Sequence, residues 1–565
     1  MEIIKEKIHN VKLGSLAVKL VIAWFLIAFV IYPNANLLVS IFFKNGQFST
    51  DAFGKILTSE RAMKALMNSF VLAFTLVITV NIVGTLIVLF TEYFEIKGAK
   101  ILRLGYMSTL IYGGVVLVSG YKFIYGPTGI VTNLLTGLFP AMNANWFTGY
   151  FAVVFVMTFS VTSNHMIFLR NAIGGLDYHT IEAAKNLGAS GSSILMKVVM
   201  PTLRPTFFAV TILTFLTGLG AMSAPLIVGG PNFQTINPMI MAFAKTPSSQ
   251  ELAALLAVIL GVATILLLMI QNKLEKGKNY ISISKTKTKL QKQKIDNKGL
   301  NILAHITAYA LFFIYTLPVV LVILFAFSNS LAITTGNLAF SSFTLENFQR
   351  LFVDASAFKP YLISVIYAIS AAVIVTAIAV VVSRIVHKGK SKTNAFFEYS
   401  MLIPWILPST LIALGLMLTY DQSRLIVGNK VLIGTLVILL LGYIVVKLPF
   451  SFRMIRSAFY SIEDSLEEAA QSMGASKFYT LRRIIIPIIL PVLLSVIALN
   501  FNSLLAEYDL TVFLYHPLYS PLGVIVKAAS DDIASTNAIA MSFVYTVVLM
   551  IISSITLYLT QKDDR

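Results

Sequence analysis

Long uninterrupted runs of apolar residues recur from one end of the chain to the other, and no other feature restricts its fold as tightly. Residues 70–89, 151–169 and 252–270 each approach or reach the ~20 residues that a helix needs to cross a bilayer. With 565 residues, 57% of them hydrophobic and only 12% charged, the chain has too little polar side chain to hide this surface in water. The runs show no alternation with period two, so a transmembrane barrel is not supported. Helices then satisfy every backbone N–H and C=O within lipid. The expected fold class is an all-α polytopic membrane protein.

Twelve spans are expected. Six lie near residues 16–42, 68–91, 103–125, 148–169, 205–229 and 250–271, and six near 302–328, 360–383, 398–419, 431–452, 489–513 and 535–560. Residues 273–299 between the two sets carry nine lysines against Glu275 and Asp296, with no apolar period, and read as a solvated basic cytoplasmic linker. The expected domains are therefore 1–272, a first transmembrane domain; 273–299, the linker; and 300–565, a second transmembrane domain. The N-terminal segment MEIIKEKIHNVKLG lacks a small-residue cleavage site, so the apolar run after it reads as a retained first helix.

Charge sets the expected orientation. The loop over about 126–147 has no charged residue, whereas 384–398 carries Arg384, Lys388, Lys390 and Lys392 against Glu398. Placing both termini and the linker in the cytoplasm puts the basic loops inside, as the positive-inside rule requires. The net charge of +18 is explained by these segments beside spans, and no nucleic-acid partner is expected.

Several chemistries are missing. The chain has no cysteine, which removes disulfides, thiolate zinc sites and cysteine catalysis. The six histidines are scattered without metal-ligand spacing, and no nucleophile–base constellation is present. The nearest string to a phosphate-binding loop is Gly389-Lys390-Ser391, but Arg384 stands where its first glycine belongs. Any ATP hydrolysis must come from another protein.

One internal repeat is plain. Residues 182–201 read EAAKNLGASGSSILMKVVMP, and 468–487 read EAAQSMGASKFYTLRRIIIP. Glu182, Ala183, Ala184, Gly188, Ala189, Ser190, Leu195 and Pro201 match Glu468, Ala469, Ala470, Gly474, Ala475, Ser476, Leu481 and Pro487 without a gap, at an offset of 286 residues. Arg170 and Arg456 share that offset, as do the acids Asp177 and Glu463. Each copy follows the fourth span of its half, so the duplication is parallel, with an axis along the membrane normal. Small alanines permit a close approach to a partner. Glu182 and Glu468 are expected where a short helix begins, favourable for an acid against the helix dipole. Gly188 and Gly474 are expected to end that helix at positive φ, and Pro201 and Pro487 to fall in a first turn or at a kink.

This pattern resembles the signature EAA loop of the permeases of binding-protein-dependent ABC importers, and the resemblance covers essentially the whole chain except the linker. It implies a type I importer permease with two fused halves, multi-pass in a bacterial cell membrane, working by alternating access. It further implies two copies of a cytoplasmic ATP-binding subunit docked on the loops, and an extracellular substrate-binding protein. The chain itself would bind no cofactor and would not be an enzyme, because ATP and Mg²⁺ sit on the partner ATPase. Single-chain permeases of this kind are most similar to the ferric-iron group, with thiamine, phosphonate and polyamine relatives. A twelve-span secondary transporter is the rival class. It usually carries coupling acids or basic pairs within its spans, and this chain has few.

Polar groups inside the membrane are candidates for the path. Glu507 and Asp509 lie 20 and 22 residues beyond Pro487, roughly 30 Å along a helix, in the outer part of the membrane. Their aligned positions in the first half are Ala221 and Ser223, so the acid pair is one-sided. Gly218 and Gly220 interrupt the first-half stretch, with Gly229, Gly230 and Pro231 beyond them. The candidate path residues are Gly218, Gly220, Met222, Glu507, Tyr508 and Asp509. Lys19, Lys122 and Lys447 are expected near span ends, with their ammonium groups reaching the interface.

Overall fold

The computed structural model describes residues 16–44, 47–276, 290–387 and 391–562. It contains ten helices long and apolar enough to cross a membrane, or up to twelve if each of two bent helix pairs counts as one span. Together with the short helices between them they make the chain an all-α polytopic membrane protein. A two-residue antiparallel pairing, Phe43–Lys44 with Gln47–Phe48, joins the first two spans.

In the first half the elements are α1 (Leu16–Phe42), α2 (Glu60–Tyr93), the bent pair α3 (Ala99–Leu110) and α4 (Gly114–Leu138), and α5 (Gly149–Gly174). A short helix α6 (Tyr178–Asn186) follows, then α7 (Gly191–Leu219) and α8 (Pro247–Gln271). The second half repeats the series: α9 (Lys298–Ala326), α10 (Ala355–His387), the bent pair α11 (Lys392–Ile406) and α12 (Ser409–Tyr420), and α13 (Leu436–Tyr460). It closes with the short helix α14 (Asp464–Ser472), α15 (Lys477–Leu505) and α16 (Thr536–Thr556).

Two expected spans need correction. Those near 103–125 and 398–419 are not straight: α3 and α4 meet at 112°, and α11 and α12 at 109°. Gly113 lies extended in the first break, and the extended Leu407 followed by Pro408 makes the second. The fifth spans also start earlier and stop sooner than expected, ending at Leu219 and Leu505, which are equivalent positions of the repeat.

Within each half, α2 packs on α5 and α7, and α10 on α13 and α15. The first helix of each half crosses over. Helix α1 lies against α12 of the second half, and α9 against α3 and α4 of the first. Tyrosines fasten both crossings: Tyr420 donates its hydroxyl to Ala28 O, Tyr106 to Ala308 O at 2.7 Å, and Tyr121 to Ile314 O at 3.4 Å. Ala28 and Ile314 are equivalent positions of the repeat. A glycine makes room for the neighbouring helix in each crossing. A Cβ on Gly105 would meet the Phe312 ring at 2.3 Å, and one on Gly415 the Pro33 carbonyl at 3.3 Å.

The expected linker is also shorter than its composition suggests. The last helix of the first half continues to Lys276, and residues 277–289 lie outside the described residues. Residues 290–297 are docked rather than free. Gln293 N–H donates to Tyr93 O at 2.8 Å, Glu95 N–H to Gln293 O at 2.9 Å, and Lys292 Nζ to Thr91 O at 2.7 Å. Leu290 and Ile295 pack on the core beside this tie. Their two apolar side chains supply the anchor that a count of lysines conceals.

Candidate functional site: repeated loops and central cavities

The repeat seen in the sequence is a repeat in space. Helices α6 and α14 cover the same nine positions of the two copies, and both end at a glycine of positive φ, Gly188 at 80° and Gly474 at 85°. A side chain there costs about 1–2 kcal/mol, which is why glycine stands at both positions. Ser190 and Ser476 cap the next helices, accepting from Ser193 N–H at 3.3 Å and Tyr479 N–H at 3.2 Å. Both of these helices then widen into a π-turn, Leu195–Val199 and Leu481–Ile485, where Met200 N–H reaches back to Leu195 O and Ile486 N–H to Leu481 O. Pro201 and Pro487 follow directly inside the continuous helices, and the wide turn before each makes room for a ring without an N–H.

The acids at the start of each copy sit differently from expectation. Glu182 and Glu468 are the fifth residues of their helices, not the first. The N-caps are Asp177, which accepts from His179 N–H at 3.1 Å, and Glu463, which accepts from the Ser465 hydroxyl at 3.2 Å. Glu182 instead faces His179 at 3.5 Å, and Glu182, Ala183, Glu468 and Ala469 are exposed, while Ala184 is half-buried and Ala470 buried. Each short helix therefore presents an acid and an alanine outward from a docked inner face.

The anchorage of the two helices differs. On α6 the buried inner residue is Ile181. Its equivalent on α14 is Glu467, buried and held by both guanidinium nitrogens of Arg384 at the end of α10, one at 3.0 Å. The repeated arginines are paired as well. Arg170 meets Glu92 at 3.2 Å, with Arg103 3.6 Å from the same oxygen, and Arg456 pairs with Glu398.

Between the halves lie two cavities of about 690 and 680 Å³. The first takes in Leu499, Asn502, Ser503 and Ala506 of the α15 stretch, together with the break between α3 and α4. The second takes in Leu213, Leu216, Thr217 and Gly220, the residues 286 positions earlier, together with the break between α11 and α12. The cavities thus share four equivalent positions of the repeat, and Leu499 and Ser503 border both.

One contact marks that axis. Ser223 Oγ donates to Asp509 Oδ1 at 3.3 Å across a separation of 286 residues, the offset of the repeat itself. Residues that are each other's equivalents touch only on the axis that relates them. Asp509 therefore stands on the axis, in the wall of the first cavity.

The other path candidates divide. Tyr508 and Glu507 line the first cavity, and Gly220 the second. Glu507 is committed locally, however. Its two carboxylate oxygens accept from Leu510 N–H at 2.8 Å, Thr511 N–H at 3.0 Å and the Thr511 hydroxyl at 2.6 Å, capping the short turn after the break. Gly218 and Met222 line neither cavity. Gly218 lets α7 approach α2, since a Cβ would lie 2.8 Å from Ala73 Cα, and Met222 is buried in the core. Asn237 ties the first-half break together, donating to Gly220 O at 2.6 Å and accepting from the Thr410 hydroxyl at 2.9 Å.

Lys122 pairs with Asp532 at 2.8 Å and donates to Ser530 O at 2.7 Å. Lys447 has a different setting. It is the twelfth of 25 residues of α13 and lines the second cavity. It lies roughly 16–20 Å along the helix from either end of α13. Among the described residues no group of three or more histidines, cysteines or acids is placed to hold a metal ion.

The family profile described as "Binding-protein-dependent transport system inner membrane component" matches residues 114–280 and again 385–562. A probable ABC transporter permease protein of Sinorhizobium fredii, y4fN, is 35% identical, covering 96% of this chain and 95% of its own. The ferric transport system permease protein FbpB of Actinobacillus pleuropneumoniae is 22% identical, covering 86% of this chain and 69% of its own. A protein ascribed to a 2-aminoethylphosphonate transport system, PhnV of Salmonella paratyphi A, is 27% identical, covering 46% of this chain and 93% of its own.

Proposed function

The chain belongs to the binding-protein-dependent transport system inner membrane components, the permeases of ABC transporters, and on that premise we propose that it imports ferric iron with energy from two ATPase subunits docked on α6 and α14. The observation that carries the coupling role is the spatial identity of the two loops, each a short helix with an exposed acid and alanine, a left-handed glycine and a π-turn leading into a span. Two like ATPases require two like sockets. Closure of the ATPases around ATP would draw α6 and α14 together, and the continuous helices α7 and α15 would carry that motion to the axis at Ser223 and Asp509. Alternating access follows when the breaks above Leu219 and Leu505 part on one side and close on the other. In this reading the loops face the cytoplasm, both termini lie there too, and a binding protein delivers cargo to the opposite face.

Iron is favoured by architecture. The ferric relative covers 86% of this chain, whereas the phosphonate relative covers 46% of it. A carboxylate on the axis, Asp509, suits a cationic cargo. The test is reconstitution of the chain with its ATPase and binding protein in liposomes. Binding protein loaded with Fe³⁺, and not with other ligands, should stimulate ATP hydrolysis and uptake. Absence of stimulation by iron would end the iron assignment, and uptake driven by an ion gradient without the ATPase would end the importer assignment.

A further inference from the structure

We propose that Lys447 is the centre of an oxyanion-binding subsite in the second cavity, taking a carboxylate, phosphate or phosphonate group that travels with or on the cargo. The inference rests on the permease reading and deepens it by giving the cargo an anionic group.

An ammonium group in the middle of a span is costly, and such groups are retained where they pair with an opposite charge or face a path. Lys447 makes no hydrogen bond and no ion pair among the described residues. The carboxylate that acts on it electrostatically is Glu507. Both oxygens of Glu507 are already held by three donors of the Leu510–Thr511 turn. Tyr443, one helical turn before Lys447, closes that arrangement by sharing a hydrogen bond of 2.6 Å with the Thr511 hydroxyl. Glu507 is thus fixed by the turn, and although its charge acts on Lys447 it makes no ion pair with the ammonium.

The cavity that Lys447 lines has no carboxylate in its wall. Ser409 and Trp405 border it at the bend between α11 and α12, and neither side chain makes a hydrogen bond among the described residues. The side chains of Lys447, Ser409 and Trp405 border one space of about 680 Å³, and an ammonium, a hydroxyl and an indole N–H are all donors suited to oxyanion oxygens. The first cavity has both signs in its wall, with Glu507 and Asp509 beside Arg170. A cargo carrying both signs would meet Asp509 there and Lys447 in the second cavity.

The chain contains no cysteine, so Lys447→Cys introduces a single addressable thiol. The full chain in lipid nanodiscs is titrated calorimetrically with inorganic phosphate and, separately, with citrate. Saturable binding of at least one is expected for the wild type, weakened about 10-fold in Lys447→Cys, as loss of a charge-assisted hydrogen bond implies. Modification of the thiol by 2-aminoethyl methanethiosulfonate should restore the affinity, and the neutral methyl reagent should not. The phosphate and citrate arms separate a phosphorus oxyanion from a carboxylate. Titrations without saturation for either anion in the wild type, or equal affinity in Lys447→Cys, would overturn the proposal. Because the titration uses the chain alone, it succeeds or fails independently of the uptake assay that tests the permease reading.

Discussion

At the scale of single residues, the contact between Ser223 and Asp509 makes an unusual demand. Being equivalents across the axis, the two positions are interchangeable in geometry but not in charge. Ser223→Asp alone sets two carboxylates about 3.3 Å apart, where like charges cannot both ionise without cost, and should lower cargo-stimulated uptake at least 10-fold. Asp509→Ser alone removes the axial charge and should also depress uptake. The double exchange, Ser223→Asp with Asp509→Ser, returns one acid and one hydroxyl to the axis. It should recover much of the wild-type uptake rate in liposomes. An exchange no better than the worse single variant would argue against an axial role. The aspartate was legible as an intramembrane acid, but its partner was not, because a serine in an apolar stretch carries no signal until the fold brings it to its repeat mate. Lys447 escaped for a related reason: hydropathy averaged over a span dilutes a single charge and says nothing about its distance from the ends.

The short helices matter most at the scale of elements, because they share one shape and differ in how they are held. Helix α14 hangs on the buried Arg384–Glu467 pair where α6 uses Ile181. Breaking such a pair by one partner leaves an uncompensated charge and costs about 3–5 kcal/mol, whereas replacing both partners with apolar residues is often neutral. Glu467→Gln and Arg384→Met should therefore each loosen α14 and reduce ATPase coupling, while Glu467→Ile with Arg384→Met should regain it. Hydrogen exchange across residues 464–472 in each variant checks the prediction. Equal protection in all of them would show that the pair does not anchor the helix. The loops themselves were readable in advance, since a gapless match with fixed glycines and prolines encodes a local shape. The sharp bends of the third spans were not. A window of apolar residues looks alike whether the helix runs straight or turns through 112° or 109°, and only Gly113 and Pro408 hint at the difference.

Across the whole molecule, the two halves of the sequence are not two separable bodies. Each contributes its first helix to the other, through Tyr420 on Ala28 in one crossing and Tyr106 on Ala308 in the other. The boundaries expected from sequence therefore describe the chain's duplication and not its packing, which periodicity within one segment has no means to reveal. Polypeptides covering 1–276 and 290–565 should purify as a complex when produced together and support uptake, because the crossings hold them. Either produced alone should be degraded, with an apolar face of its bent span left uncovered. Two fragments that each accumulate alone and fail to associate would contradict this packing. The contact on the axis also bears on ancestry. In a dimer of identical subunits any residue there meets a copy of itself, so an aspartate would always face an aspartate. Duplication and fusion free the two copies to drift apart, and the axis, the position most constrained by symmetry, becomes the one with most to gain from losing it.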